Sequence, residues 1–308
     1  MKEQYQNHLF VPGHRMCPGC AAPIAVRAIL QATGSDVILV SPTGCLEVCT
    51  SPYPYSAWGV PWVHSLFENA PAVACGVEAA LRAKGKQDTA VVVIGGDGST
   101  YDIGMGALSG MLERGHNILY ICYDNEAYMN TGVQRSGATP YLAVTTTTPV
   151  GKVGFGKVRP KKNLVAIALA HDIPYAATAS IAFPRDITRK VERALQIEGP
   201  KFIDIHAPCP VGWEFDTSLS VEVARLGVGT GLIPLYETGS AVSFKARSIK
   251  NPEPVERYLR LQGRFKHLFS NSHGDGWIAE VQAIANDNIE RFGLVAESSL
   301  GGRIDAEE

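Results

Sequence analysis

No uninterrupted run of about 18 apolar residues occurs in the chain, so no membrane-crossing helix is expected. Charge of one sign is also lacking. Among 308 residues, 28 Lys and Arg face 30 Asp and Glu, a formal net charge of -2. That balance supplies no global field for nucleic acid or an acidic membrane. Residues 1–10 are polar and hold no apolar signal core, which points to a cytoplasmic protein. Internal repeats and low-complexity segments are missing. Disulfides are not expected either, because the seven cysteines are odd in number and cytosolic thiols stay reduced. Hydrophobic residues are plentiful, at 45% of the chain, which is enough for a sizeable core.

The apolar runs at Val37–Val40, Ala90–Ile94, Ile118–Tyr123 and Lys201–His206 have the pattern of strands buried on both faces. Residues 21–33, 70–84, 103–114, 163–172 and 186–197 carry helical spacing. Alternation of this kind predicts an α/β fold: a parallel sheet with helices on both faces, binding ligands beyond the carboxyl ends of its strands. Residues 1–16 read as an extended arm. From about Trp213 the pattern weakens, with amphipathic helices expected over 254–269 and 277–293 and an acidic tail at 297–308. The expected division is a ligand-binding domain over 1–212 and an irregular extension over 213–308, of the kind that wraps a partner subunit.

One strand runs into Gly95-Gly96-Asp97-Gly98-Ser99, and a helix follows. Glycines at such a turn let a phosphate approach backbone N–H groups at a helix N-terminus. Asp97 adds a hard oxygen of the type Mg²⁺ uses. The next strand delivers Asp124-Asn125-Glu126 at its carboxyl end, so adjacent parallel strands would bring Asp97 and Asn125 to one edge. Taken alone, the first segment is equally a plain turn and the second a helix cap.

Cys17 and Cys20 form a CxxC pair before a helix, while Cys45 and Cys209 each follow a strand. All four lie where one binding edge could form. Four thiolates suit zinc or an iron–sulfur cluster, and the wide spacing of the last two fits a 4Fe–4S cluster better. A thioredoxin-like redox pair would leave Cys45 and Cys209 unexplained. Cys49, Cys75 and Cys122 read as small buried hydrophobes, with Cys49 the first exception to look for.

GDGS followed by YDNEAYMNTG resembles the motif of thiamine-diphosphate enzymes. More narrowly, DNEAYMNTG followed by QRSGATP resembles the beta subunit of pyruvate:ferredoxin oxidoreductase and related 2-oxoacid:ferredoxin oxidoreductases. The resemblance implies a thiamine-diphosphate-binding fold. It implies Mg²⁺ held by Asp97, Asn125 and the backbone carbonyl of Ala127. Gly44, Cys45, Gly96, Gly98, Ser99, Asn130 and Thr131 would join these residues around the coenzyme, Asn130 facing coenzyme and substrate as the catalytic residue. In that family GHRxCxGC, TGC and APCP carry the cluster nearest the coenzyme, which implies a 4Fe–4S cluster on Cys17, Cys20, Cys45 and Cys209. Two departures stand out: Glu126, where thiamine enzymes often have Asn, and Ala21, where members often have Gly.

The implied activity is oxidative decarboxylation of a small 2-oxoacid, with electrons leaving singly to ferredoxin. Pyruvate is the first choice, giving acetyl-CoA and CO2 with coenzyme A as co-substrate; oxalate or a branched 2-oxoacid is the alternative. No glutamate here can be placed on the coenzyme's aminopyrimidine ring. The resemblance implies that an alpha subunit supplies it, with gamma- and delta-type subunits completing a hetero-oligomer. A zinc-stabilised scaffold and a non-oxidative thiamine lyase are the competing readings.

The aromatic segment Tyr53 to Trp58 with Trp62 reads equally as coenzyme contact or loop packing. His64 and Glu68 are candidate polar contacts. The basic stretch Lys152, Lys157, Arg159, Lys161 and Lys162 reads by default as a solvated loop.

Overall fold

The computed structural model describes residues 9–270 and 274–295. The first part of the expected arm and the acidic tail lie outside the described residues. The predicted apolar runs become β1 (Val37–Pro42), β3 (Ala90–Gly96), β4 (Leu119–Asp124) and β6 (Lys201–His206). Their side chains are buried on both faces, as in Val92 and Val93 or Tyr120 and Ile121. That is why these strands read as continuous rather than alternating hydrophobic segments. Four further strands complete one sheet: β2 (Trp62–Ser65), β5 (Tyr175–Ser180), β7 (Tyr236–Gly239) and β8 (Val242–Ala246). The order is β2-β1-β3-β4-β6-β5-β7-β8. The first six strands are parallel, and β7 and β8 join antiparallel at one edge.

Helices cover both faces. On one face α1 (Ala22–Thr33) and α6 (Pro184–Leu195) press Ala25, Ile29, Ile187 and Val191 onto Leu39, Ile121 and Ile203. On the other, α3 (Ala70–Ala83), α4 (Met105–Glu113) and α5 (Leu164–Leu169) bury Ala74, Leu108, Met111 and Leu164 against Val91, Val93 and Phe202. The short α2 (Cys45–Thr50) follows β1, and α7 (Pro210–Trp213) follows β6. A third cluster joins Trp213 to Val223, Tyr258, Phe265 and Val281. These come from α8 (Ser220–Gly229), α9 (Val255–Arg260), the 3-10 stretch after it and α10 (Gly274–Arg291).

Several elements differ from the sequence expectation. The strand β5 reads YAATAS, too poor in β-branched residues to announce itself. The strand β2 is four residues inside the aromatic segment. The extension is more ordered than its composition implies, since β7 and β8 continue the main sheet. The helix expected over 254–269 breaks at Gly263, where any Cβ would lie 2.5 Å from Glu214 Cβ. Among the described residues no helix is long and apolar enough to cross a membrane.

Candidate functional site

Asp97 and Asn125 stand at the carboxyl ends of adjacent strands, because β3 and β4 pair in parallel with Gly96 opposite Tyr123. The Asn125 side-chain oxygen lies 2.9 Å from the Ala127 carbonyl oxygen and 2.9 Å from Asp97 Oδ1. Three acceptors meeting without a donor repel one another. Turning the amide round would let its nitrogen donate to both. A cation among these oxygens is the other resolution, and the spacing suits it as well. Octahedral Mg²⁺ with bonds of about 2.1 Å spaces neighbouring oxygens roughly 2.9 Å apart. Asp97 is 1% exposed, and burial, then the Asp124 charge, raises its carboxyl well above the usual range. A resident cation would relieve that penalty.

The surrounding bonds hold this geometry. Ser136 Oγ donates to Asp97 Oδ2 at 2.5 Å. Thr139 Oγ1 donates to the Glu126 carbonyl at 2.6 Å. Asp97 opens a π-helical turn, Gly98–Ile103, that leads into α4; such turns cluster at functional sites. Tyr128 lies flat on Gly98, where a Cβ would sit 2.5 Å from its ring. Ser99 Oγ donates to the Gly96 carbonyl at 2.8 Å.

Glu126, the departure from the common thiamine motif, has a different task from metal ligation. It is 2% exposed and adopts a left-handed φ of 68°. Its Oε1 accepts from Lys161 Nζ at 3.1 Å and its Oε2 from Arg264 at 2.7 Å. Although burial opposes ionisation, these two cations bring its pKa down to about 2. Lys161 also pairs with Asp124, and burial pushes that carboxyl up to about 7. The basic stretch is therefore only partly a solvated loop. Lys152 and Arg159 are exposed. Lys157, however, is buried and donates to the carbonyls of Gly137, Thr139 and Pro160. Lys162 grips the Tyr101 carbonyl and Asp102.

Cys45 follows β1 and Cys209 follows β6, so the sulfur loops flank the two oxygen loops in strand order. Cys17 and Cys20 meet them from a turn closed by Cys20 N donating to the Cys17 carbonyl at 3.0 Å. Burial, then the neighbouring cysteine charges, push Cys45 up to about 12. Burial dominates at Cys20 too, which also reaches about 12 and feels Cys209, Cys17 and Cys49. Coupling of this kind requires proximity. Cys49 is thus the exception among the three extra thiols, half-buried beside the four, whereas Cys75 and Cys122 are buried as expected. Ala21 replaces the common Gly without strain, because its φ of -75° and ψ of -25° are helical. Among the described residues, no three His, Cys, Asp or Glu side chains gather closely enough to hold one metal ion.

A cavity of about 210 Å³ opens on the oxygen loops and reaches Cys45, while Cys17, Cys20 and Cys209 lie outside its lining. It is lined by Gly44, Cys45, Gly96, Asp97, Gly98, Ser99, Asn125, Ala127, Asn130 and Thr131. Thr43, Phe67, Tyr123, Tyr128 and Met129 complete the wall; Phe67 reads as ordinary core in the sequence, while the others stand inside the TGC and YDNEAYMNTG segments without a role of their own. The Tyr123 hydroxyl accepts from Leu46 N at 3.4 Å and abuts both Gly44 and Gly96, where a Cβ would lie 3.2 Å from it. The aromatic segment, His64 and Glu68 are not part of this lining. Trp58, Trp62 and His64 stack on one another instead, while Tyr53 and Tyr55 are exposed.

Residues 42–205 match the family model described as "Thiamine pyrophosphate enzyme, C-terminal TPP binding domain". The chain is 59% identical to pyruvate synthase subunit PorB of Methanosarcina barkeri, over 92% of this chain and 96% of that one. It is 49% identical to ketoisovalerate oxidoreductase subunit VorB of Pyrococcus furiosus, over 95% and 94%. Its fold also resembles a solved 2-oxoglutarate:ferredoxin oxidoreductase from Magnetococcus marinus, with a TM-score of 0.57 at 24% identity, covering 70% of this chain and 79% of that one.

Proposed function

Because the chain belongs to the thiamine-pyrophosphate-binding beta subunits of the 2-oxoacid:ferredoxin oxidoreductases, pyruvate synthase type, we propose that it carries both redox-active groups of such an enzyme. The substrate is a small 2-oxoacid, with pyruvate and coenzyme A giving acetyl-CoA and CO2 as the first choice. Ferredoxin takes the electrons. When bound, the coenzyme supplies an electron sink for decarboxylation and a 4Fe–4S cluster a one-electron acceptor.

The observation that carries this reading is the convergence of the Asn125 amide on Asp97 Oδ1 and the Ala127 carbonyl, 2.9 Å from each, in a cavity whose wall includes Cys45. Asp97, Asn125 and the Ala127 carbonyl would hold Mg²⁺ and through it the diphosphate. The Gly96–Ser99 backbone opens the helix that faces the anion. Asn130 and Thr131, exposed at the mouth, would orient the reacting end. Phe67 and Tyr128 pack together, 5.8 Å between centroids, and keep water from the buried wall. Cys17, Cys20, Cys45 and Cys209 would ligate the cluster. The wide sequence spacing of Cys45 and Cys209 favours the larger cluster over a zinc scaffold.

Among the described residues no glutamate lines the cavity, so an alpha subunit would supply the activating carboxylate. Val48, Tyr53, Tyr55, Leu66 and Val211, all beyond strand ends at this edge, are exposed, as a docking surface would require. The extension, with Phe244 exposed on the edge strand β8, would contact further subunits of gamma and delta type.

The test is anaerobic purification with and without partner subunits, followed by a screen of 2-oxoacids with a one-electron dye. Turnover requires the partners, pyruvate is the best substrate, and each chain carries roughly four iron and four sulfide. Full activity of the chain alone, or one zinc per chain, would contradict the proposal.

A further inference from the structure

We infer that Arg264, in the C-terminal extension, is the positioning residue that fixes the Asp124–Asn125–Glu126 turn for the magnesium-bound coenzyme. The inference rests on the coenzyme-site reading above and goes beyond it by making the extension part of the site. Arg264 is 4% exposed. Its Nη2 donates to Glu126 Oε2 at 2.7 Å and its Nε to Gln262 Oε1 at 2.9 Å. The guanidinium lies over the Trp213 ring, 3.6 Å from the centroid. Trp213 in turn donates from Nε1 to the Asn125 backbone carbonyl at 2.8 Å.

One side chain therefore braces two consecutive residues of the turn, Glu126 directly and Asn125 through the indole. The turn needs such support. A φ of 68° at Glu126 is unfavourable for a residue with a Cβ, and it persists only where surroundings enforce it. Lys161 occupies the other oxygen of Glu126 but touches neither Asn125 nor Trp213 in any hydrogen bond described. Lysine at position 264 could keep the charge but not the planar stack on tryptophan. Trp213 also closes the turn that begins at Cys209, since its N–H donates to the Cys209 carbonyl at 2.9 Å. The brace thus ties the oxygen loop to one sulfur loop.

The experiment uses the anaerobic complex with its partner subunits, stripped of coenzyme and retitrated with thiamine diphosphate at saturating Mg²⁺ by calorimetry. Thermal melting and iron content are followed in parallel. Arg264→Met weakens coenzyme binding by about tenfold, the lower end of the loss on removing an outer-shell partner of a metal ligand, because Arg264 reaches Asn125 only through Trp213. Arg264→Lys recovers part of the loss. The double variant E126Q/R264M leaves no buried charge unpaired and so keeps the fold measurable; it weakens binding at least as much as E126Q alone while its melting stays near that of the wild type. Binding within twofold of the wild type in any folded Arg264 variant overturns the inference. A wild-type complex that binds no coenzyme overturns the underlying reading as well, and this outcome is distinct because it appears before any substitution.

Discussion

The oxygen loops and the sulfur loops of the sheet edge are built on different plans. At Asp97, Asn125 and Glu126 the chain supplies an almost complete shell: Ser136 on Asp97, Thr139 and Arg264 on Glu126, and Trp213 on the Asn125 carbonyl. The Asn125 amide is held 2.9 Å from both Asp97 Oδ1 and the Ala127 carbonyl by the protein alone. The four thiols have no such shell. Their bonds run mainly through backbone, as in Gly212 N to Cys209 Sγ at 3.4 Å, and burial keeps Cys20 and Cys45 protonated. On the proposed reading, a coenzyme site would form on a preorganised frame, whereas the sulfur site would need the positive charge of a cluster to become ionised and closed.

The largest test of this contrast pairs Asp97→Ala with Cys45→Ser. Each lowers 2-oxoacid-dependent dye reduction by about 100-fold or more, since even outer-shell losses cost up to that much. The losses separate by assay. The first keeps iron and sulfide but loses coenzyme, and the second does the reverse. If both variants lost both groups, the two regions would be one cooperative unit and the contrast would fail.

Gly19→Ala strikes the sulfur side. Its φ is 72° and a Cβ would meet the Thr217 carbonyl oxygen at 2.2 Å, so the CxxC turn must shift. A cost of about 2 kcal/mol follows from strain and overpacking, read as a lower Tm and reduced iron content with coenzyme affinity nearly unchanged. Gly98→Ala strikes the oxygen side through the Tyr128 ring, whose tilt can absorb part of the clash. The expected cost is about 1 kcal/mol, read as weaker coenzyme binding at full iron content.

The smallest effect concerns Lys157, whose ammonium clamps the 137–140 loop and is held by burial at about 8, below the usual 10.5 of a lysine. Between those two values the unfolded chain binds a proton that the folded chain has released, so this group makes stability rise with pH across that window. In Lys157→Met that rise is shallower, measured by urea midpoints at about pH 7.5 and pH 10. An unchanged slope would show that the clamp is not titrating.

The sheet was legible in the sequence because each strand is a local event: a buried apolar run, then a turn carrying a chemical group. The residues that the resemblance implied around the coenzyme share one cavity, whereas the aromatic segment, also read as a coenzyme contact, stays outside its lining. What escaped depends on distant partners. Nothing near Glu126 announces that Lys161 and Arg264 will meet it. Lysines in a hydrophilic stretch give no hint that Lys157 and Lys161 fold inward. Tyr123 and Phe67 read as core because packing and lining draw on the same residue types. The strands β7 and β8 hide in a Gly- and Ser-rich region because the pairing of β7 with β5, on which β8 then builds, is set by tertiary contact rather than local pattern.

The most direct measurement is anomalous diffraction at the iron edge from anaerobic crystals of the complex grown with Mg²⁺ and thiamine diphosphate. The account predicts a multi-iron peak enclosed by Cys17, Cys20, Cys45 and Cys209, with an octahedral ion on Asp97, Asn125 and Ala127 across the same cavity. A single zinc among the sulfurs, or iron bound elsewhere with those four thiols bare, would contradict it.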